Sequence, residues 1–442
     1  MRLCYIQPIK IISVSYLATP FWYNAALALI KPLYQSRIRK RADSPEQLQQ
    51  ELCERFGPFQ TPKNLKALWF HVVSVGETNA AQPIIEHYLK QGDAVLVTNT
   101  TKTGQARAKA LFLKPEYEHL FQAVYLPADQ RDLVRDFYQK YQPKILALME
   151  TELWPNLIDV AQEFNVPCIL LNARLSEKSA RSYAKVKGLT RGMLQHLDAL
   201  LAQDQATQQR FIKLGMPAQK TQVLGSVKFD IGAPQHFIQQ AQKLKKEWQL
   251  TQRKIITLAS THAPEEVKLL EQLKPALMAD LNLVCIVVPR HPERFDEVFA
   301  ACQALNLNTQ RRSLGQSIQS DTQVYLADSM GEMWLWYALS QACYVGGSLN
   351  QPGGGHNILE PIALGVATVL GQQYFNFQSI VDEFVAVDGV KVVRDFKHAC
   401  TILLSLIDNL EQRQQLNLNA QQVMQRNQGA LARHIQCLDT YL

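Results

Sequence analysis

The sequence predicts an α/β protein: two Rossmann-like domains facing a central crevice, behind an N-terminal membrane-associated helix. Three observations carry this. From about Leu65 onward, short apolar runs alternate with helical patterns in the rhythm of βαβ units; the rhythm pauses once, near Gly232, and restarts; and five glycines fall within ten residues in a loop near the C-terminal end. At 442 residues, 47% hydrophobic and 19% charged, the chain is long enough for two domains, each with its own core. Its eight cysteines are scattered without a Cys-x-x-Cys pair or zinc spacing, which describes reduced thiols in a cytosolic compartment. A dispersed net charge of +7 excludes nucleic acid as the leading partner.

Residues 1–41 read as a membrane-anchoring segment. Ile11 to Ile30 is largely apolar, uncharged and about the length that crosses a bilayer. Ser13, Ser15, Thr19, Pro20 and Asn24 dilute it, so a helix lying in the interface competes with one that spans. Phe21-Trp22-Tyr23 supplies aromatic anchors, and Lys31, Arg37, Arg39, Lys40 and Arg41 form a basic cluster suited to anionic lipid on a cytoplasmic face. No small-residue cleavage site follows the apolar run, which argues against a signal peptide. The alternative is a helix packed on the domain that follows.

Candidate strands of the first domain, 42–232, are Ala67 to Val73, Ala94 to Asn99, Ala123 to Leu126, Lys144 to Met149, Cys168 to Leu171, Ala199 to Ala202 and Gln222 to Leu224. Each is apolar on both faces, as parallel strands covered by helices require. The second domain, 233–442, repeats the pattern with Lys254 to Ala259, Leu283 to Val288, Gln323 to Leu326, Ala342 to Val345 and Val366 to Leu370, and ends in a Gln-rich helix from Leu410 to Gln428.

The glycine loop, Gly346 to Gly355, leads from the strand Ala342 to Val345 into Asn357-Ile-Leu-Glu360, which reads as an N-cap with its capping-box carboxylate. Glycines let backbone N–H groups approach a ligand, and the first helical turn adds a positive dipole end, so an anion is expected there. Pro361 falls within the first turn, where its missing N–H costs little. A structural glycine loop with an ordinary cap is the bland alternative.

Other strand ends carry groups with chemistry. Glu77 follows the first strand at a glycine turn, where a partly buried carboxylate can take a proton from an acceptor hydroxyl; alone it reads more readily as a helix-opening, dipole-stabilising residue. Glu150 and Glu152 are spaced to point the same way if their strand persists. Lys228 and Asp230 lie beside the domain boundary, where a cation could meet a phosphate or a sugar carboxylate. Asn172 to Arg181 is a basic, polar stretch suited to anions. In the second domain Ser260-Thr-His262, Pro289-Arg-His-Pro-Glu-Arg294 and Asp328-Ser-Met-Gly-Glu332 follow successive strands; with the glycine loop they converge on an anionic ligand, Arg290 as a bidentate phosphate donor and Glu360 as an acceptor from a ribose diol.

Ser74-Val-Gly-Glu77, Glu150-Thr-Glu-Leu-Trp-Pro155, Asn172-Ala-Arg-Leu-Ser176, Lys228-Phe-Asp230, Pro289-Arg-His-Pro-Glu-Arg-Phe295, Met330-Gly-Glu332 and Gly353-Gly-Gly-His-Asn-Ile-Leu-Glu-Pro361 together resemble the motif set of the 3-deoxy-D-manno-octulosonic acid (Kdo) transferases, in the family's order, from about Leu65 to Gly371. The resemblance implies a GT-B glycosyltransferase that moves Kdo from CMP-Kdo to lipid IVA, the lipid A precursor, on the cytoplasmic face of a Gram-negative inner membrane. By the same resemblance the general base falls on Glu77, and transition-state stabilisation on Glu150 and Lys228. CMP contacts fall on Pro289 and Arg290, on Met330, Gly331 and Glu332, and on Asn357, Ile358, Leu359 and Glu360. Ser329 and Ser226 stand where the family pattern has Thr and Asn, and neither change removes a charge.

The expected reaction is inverting and uses neither metal nor cofactor: helix dipoles and Arg290 hold the leaving monophosphate, and no Asp-x-Asp cluster is present. A nucleotide-dependent oxidoreductase would use a similar paired fold, but no Gly-x-Gly-x-x-Gly follows the first strand of either domain. A non-catalytic membrane adaptor would use only the N-terminal segment.

Overall fold

The computed structural model describes residues 19–442, so the part of the apolar run before Thr19 lies outside the described residues. Contacts divide the chain into two units: residues up to Asp230 together with Asn427–Leu442, and Ile231–Arg426. The C-terminal residues therefore belong with the first unit, whereas the sequence reading keeps them in the second.

In the first unit the strands are β1 (Leu68–His71), β2 (Val95–Asn99), β3 (Phe121–Tyr125), β4 (Ile145–Met149), β5 (Cys168–Ala173), β6 (Ala199–Ala202) and β7 (Thr221–Val223). They form a parallel sheet in the order β3-β2-β1-β4-β5-β6-β7. Side-chain alternation builds the two cores. Trp69, in register with Leu96 and Leu146, buries on one face, while Leu68, Phe70, Val95 and Ile145 bury on the other. The chain winds outward from β1 to β3, then returns to the other side of β1 as β4. The gap between the carboxyl ends of β1 and β4 is thus the topological switch point, where open α/β sheets bind ligands.

The second unit repeats the design with β8 (Lys254–Thr261), β9 (Leu283–Pro289), β10 (Thr309–Arg311), β11 (Val324–Leu326), β12 (Ala342–Val345), β13 (Ala367–Gly371) and β14 (Lys391–Val393). Its parallel order is β10-β11-β9-β8-β12-β13-β14, with the switch point between β8 and β12. The sequence reading misses β10 and β14. Both are short edge strands, and Thr309-Gln-Arg311 is polar because an edge strand needs no doubly buried run.

The N-terminal segment differs from expectation. One helix, Phe21–Lys40, contains both the second half of the apolar run and most of the basic cluster. Pro20 precedes it and fixes its start. It packs on the first unit: Tyr23 donates to Asp129 at 2.8 Å, Asn156 Nδ2 donates to Asn24 at 2.9 Å, and Ile38 is fully buried. Phe21 (87% exposed), Leu29 (79%) and Leu33 (66%) remain outside. Among the described residues no helix is long and apolar enough to cross a membrane.

The helix Leu410–Asn427 is not the terminal one. Ala430–Asp439 follows it and packs against the helix Val75–Gln91 and against β5. Asp230 accepts from Gly429 N (3.2 Å) and Leu431 N (2.8 Å) and so caps this helix. His434, fully buried, donates from Nδ1 to Ala430 O and accepts at Nε2 from Asn172 N (3.1 Å); burial first of all pulls its pKa down to about 4, so the ring is neutral. Leu438 is 1% exposed within the first unit's core. Leu438→Ala should cost the first unit about 2–5 kcal/mol. Hydrogen exchange by mass spectrometry should show faster exchange in peptides covering β1 and β5, with β8 and β9 unchanged.

Candidate active site

At the first switch point, Ser74 begins the helix Val75–Gln91 and its hydroxyl accepts from Glu77 N. Glu77 reaches back, taking Val73 N–H at 2.8 Å on one carboxylate oxygen and the Ser74 hydroxyl at 3.2 Å on the other. This is the reciprocal geometry of a capping box, so Glu77 does hold the helix start. It is also electrostatically unusual. Burial pushes its pKa up, the Val73 N–H pulls it down, and Glu152 and Glu150 push it up again, leaving it at about 7. A carboxylate titrating near neutrality is suited to proton transfer.

β4 ends at Met149, and Glu150 takes a left-handed backbone (φ 56°), a conformation that costs a non-glycine residue on the order of 1 kcal/mol or more. The strand does not persist, so Glu150 and Glu152 part ways, contrary to the expected shared direction. Glu150 pairs with Lys228 at 2.5 Å, both side chains mostly buried. Glu152 accepts from Trp154 Nε1 at 3.0 Å and lies 3.8 Å from Nε2 of the buried His71, which has no hydrogen-bond partner.

Lys228 sits on the 3-10 turn Val227–Phe229. That turn is held by Val227 N donating to Asn172 Oδ1 (3.2 Å) and Ser226 N donating to Asn427 Oδ1 (3.0 Å). Asn172 is therefore a buried organiser of the lysine loop, not an anion-facing group. Sequence reasoning missed this support because Asn172, Asn427 and His434 are far apart in the chain.

At the second switch point the glycine loop leaves β12, and its leading amides already hold an anion: the carboxylate of Glu265, fully buried. Glu265 accepts from Gly347 N (2.8 Å), Ser348 N (3.2 Å), Leu349 N (3.1 Å), His262 N (3.0 Å) and the Tyr344 hydroxyl (2.7 Å). This part of the loop is thus filled from within; the three successive glycines Gly353–Gly355 and the helix start, where the anion is expected, lie further along the loop. Gly347 has φ 66°, and a Cβ on Gly346 would meet Ser260 O at 2.6 Å, so the loop needs glycine there to close over Glu265. The signal was the acidic pair Glu265-Glu266 opening an apolar helix.

The Asn357–Glu360 capping box does not form. The helix is Leu359–Ala363, and Asn357 Oδ1 accepts from Leu359 N two residues on (3.1 Å), an Asx-type turn in place of a cap. Asn357 Nδ2 reaches Glu360 at 3.3 Å, while burial raises the Glu360 pKa. Ile358 and Leu359 bury their side chains, leaving only backbone for a ligand. Pro289 ends β9, Arg290 is exposed beyond it, and Arg294 is tied to Glu266 at 2.7 Å. Met330 is 57% exposed before Gly331 (φ 83°). Burial pushes Glu332 up, but hydrogen bonds from Arg312 (2.8 Å) and Ser329 outweigh it and hold the pKa below the usual carboxylate value.

Two histidines also meet here. His262 Nε2 and His356 Nε2 are 2.8 Å apart with stacked rings, and His291 lies edge-on to His262. One nitrogen must donate and the other accept. Burial, then His262 and Arg290, drive His356 down to about 4. Among the described residues no group of His, Cys, Asp and Glu is arranged to hold a metal ion.

Two doubly wound parallel units of this kind define the GT-B fold class. A UDP-GlcNAc 2-epimerase from Neisseria meningitidis shares that fold with a TM-score of 0.53, 13% identity, and coverage of 85% of this chain and 99% of its own. Residues 50–231 match the family described as 3-Deoxy-D-manno-octulosonic-acid transferase (kdotransferase). A 3-deoxy-D-manno-octulosonic acid transferase of Haemophilus influenzae is 34% identical over 96% of this chain and 98% of its own length. The C-terminal CMP-Kdo binding domain of WaaA from Acinetobacter baumannii is 60% identical over 44% of this chain and all of its own, with a TM-score of 0.43. The chain belongs to the 3-deoxy-D-manno-octulosonic acid transferase family, and it is a glycosyltransferase.

Glu265→Ala would leave several buried N–H groups without an acceptor. It should destabilise the second unit by on the order of 3 kcal/mol. Thermal unfolding followed by hydrogen exchange in the glycine loop checks this; a wild-type melting profile would show that the loop holds itself.

Proposed function

We propose that this transferase moves Kdo from CMP-Kdo to a hydroxyl of lipid IVA, with inversion, in lipopolysaccharide synthesis. The observation that carries the mechanism is Glu77, held at the first switch point with a pKa near neutrality beside the Glu150–Lys228 pair. The acceptor oxygen attacks the anomeric carbon as the bond to the CMP phosphate breaks, and its proton passes to Glu77. A single displacement inverts the anomeric centre. Lys228 offsets negative charge near the reacting sugar, and Glu150 orients Lys228 and favours the developing positive charge.

The resemblance assigns CMP to Pro289, Arg290, Met330, Gly331, Glu332 and Asn357–Glu360. Arg290 is exposed and supports phosphate binding. Glu360, partly buried beside Asn357, supports a ribose contact. With Arg290 to balance the leaving phosphate, the reaction requires no metal.

A lipid acceptor places the site at a bilayer. Phe21, Trp22, Leu29 and Leu33, exposed on a helix whose last turn carries Arg37, Arg39 and Lys40, support interfacial attachment on the cytoplasmic face of the inner membrane by apolar burial plus basic attraction.

Glu77→Gln should still bind CMP-Kdo while turnover falls by a factor on the order of 100 or more. The pH profile gives a second reading. Ionised Glu77 is the active base, so wild-type kcat/KM should rise as pH climbs to about 7 and level off above it, with that limb missing in Glu77→Gln. Wild-type turnover in the variant removes Glu77 from the mechanism. For the membrane, Phe21→Ser/Leu29→Ser/Leu33→Ser alters only outward side chains and should move the protein from vesicle pellets to the supernatant. Unchanged pelleting would leave the helix a packing element only.

A further inference from the structure

Beneath the N-terminal helix, within the first unit, lies a cavity of about 310 Å³. Leu27, Ile30 and Tyr34 of the helix face Phe56, Leu126 and Trp154 across it. The size is that of a small-ligand site, roughly 300 Å³ and upward. Apart from Lys31, the charged groups on its border are occupied elsewhere. Arg55 donates to Glu51 (2.8 Å) and to Thr100 O (2.7 Å). Asp129 accepts from Tyr23 (2.8 Å) and Leu157 N (2.8 Å), and Glu152 accepts from Trp154 (3.0 Å). What is left for an occupant is apolar surface.

Both ends of the cavity lead somewhere. Its inner end includes Glu152 and Val73, whose N–H holds the Glu77 carboxylate. At the outer end Ile30 lines the cavity yet is 52% exposed, beside the exposed Leu29 and Leu33. Lys31 stands at the same border, over the Phe56 ring, and Arg37, Arg39 and Lys40 follow on the helix. An apolar cavity bordered by Lys31, on a helix that carries Arg37, Arg39 and Lys40 in its last turn, matches an aliphatic chain attached to an anionic headgroup.

We propose that this cavity takes one acyl chain of the phosphorylated lipid acceptor, drawn past Ile30, so that the chain positions the acceptor's sugar for Glu77. The proposal rests on the reading of the acceptor as a lipid. It makes Leu27, Ile30 and Trp154 determinants of acceptor recognition.

Ala128→Phe and Leu27→Phe each place a ring in the cavity. The Ala128 N–H bond to Arg55 O (2.9 Å) involves only backbone, and thermal melting confirms folding. One measurement needs no transfer reaction: a brominated long-chain fatty acid should quench Trp154 fluorescence saturably in a Trp22→Phe background. That quenching should disappear in Trp154→Phe and weaken by about tenfold or more in either filled variant. The other compares acylated lipid IVA in detergent with its fully deacylated derivative at fixed CMP-Kdo. Filled variants should show a KM raised about tenfold for the acylated acceptor and unchanged kcat/KM for the deacylated one. Undiminished quenching in the filled variants, or equal losses on both acceptors, overturns the proposal. Wild-type protein that is quenched but transfers no Kdo would sink the functional reading and leave the cavity assignment standing; transfer without quenching would do the reverse.

Discussion

The buried Glu265 carboxylate is the interaction on which the second unit's site depends. It draws the amides of Gly347, Ser348 and Leu349 and the Tyr344 hydroxyl to the N-terminus of the helix Glu265–Ala279, where the helix dipole also favours a negative charge. Its neighbour Glu266 turns the other way, to Arg294 beyond β9. One helical turn thereby fixes the loops after β8, β9 and β12. A glycine loop left to itself would sample many conformations; tied to an internal anion it becomes a rigid platform, and His356 is carried to within hydrogen-bonding distance of His262.

The first unit meets the same need differently. Glu77 closes the cap of its own helix and is the proposed base, and these duties pull against each other. Hydrogen bonds from Val73 and Ser74 favour the ionised form, while burial and the nearby carboxylates oppose it. Burial is the largest influence, so the balance falls well above the ordinary carboxylate value, at about 7. Glu150 is held differently, through a left-handed backbone and a short contact to Lys228. Such local strain persists where the surroundings over-determine it: Glu150 N donates to Leu171 O (3.0 Å), Glu150 O accepts from Arg174 N (3.2 Å), and Asn172 and Asn427 brace the turn that carries Lys228.

What was legible in the sequence follows from range. Doubly buried strands announce themselves by apolar runs of the right length, so the inner strands of both sheets were readable, and the three-residue edges Thr309–Arg311 and Lys391–Val393, one polar and both too short for such a run, were not. Glu77 could be read as base or cap, and the structure makes it a cap with a base's pKa. Asn357-x-x-Glu360 carries a capping-box pattern, yet an Asx turn satisfies Leu359 N instead. Glu265 shows the opposite failure: the acidic pair opening its helix marks a dipole-stabilising residue, but not its partners, which lie some eighty positions away in the glycine loop. Only the family resemblance, carried by many motifs at once, joined these separated strand ends into one expectation of chemistry.

The chain leaves the first unit at Asp230 and re-enters it at Asn427. On the ribosome, the sheet made first is therefore the last to be finished. Until Asn427–Leu442 emerges, the face that Ala430 and Leu438 cover stays open, Asp230 has no helix to cap, and Ser226 lacks the Asn427 acceptor that steadies the Lys228 turn. A prematurely terminated product, however much of the second unit it contained, would carry Glu77 without a settled Glu150–Lys228 pair.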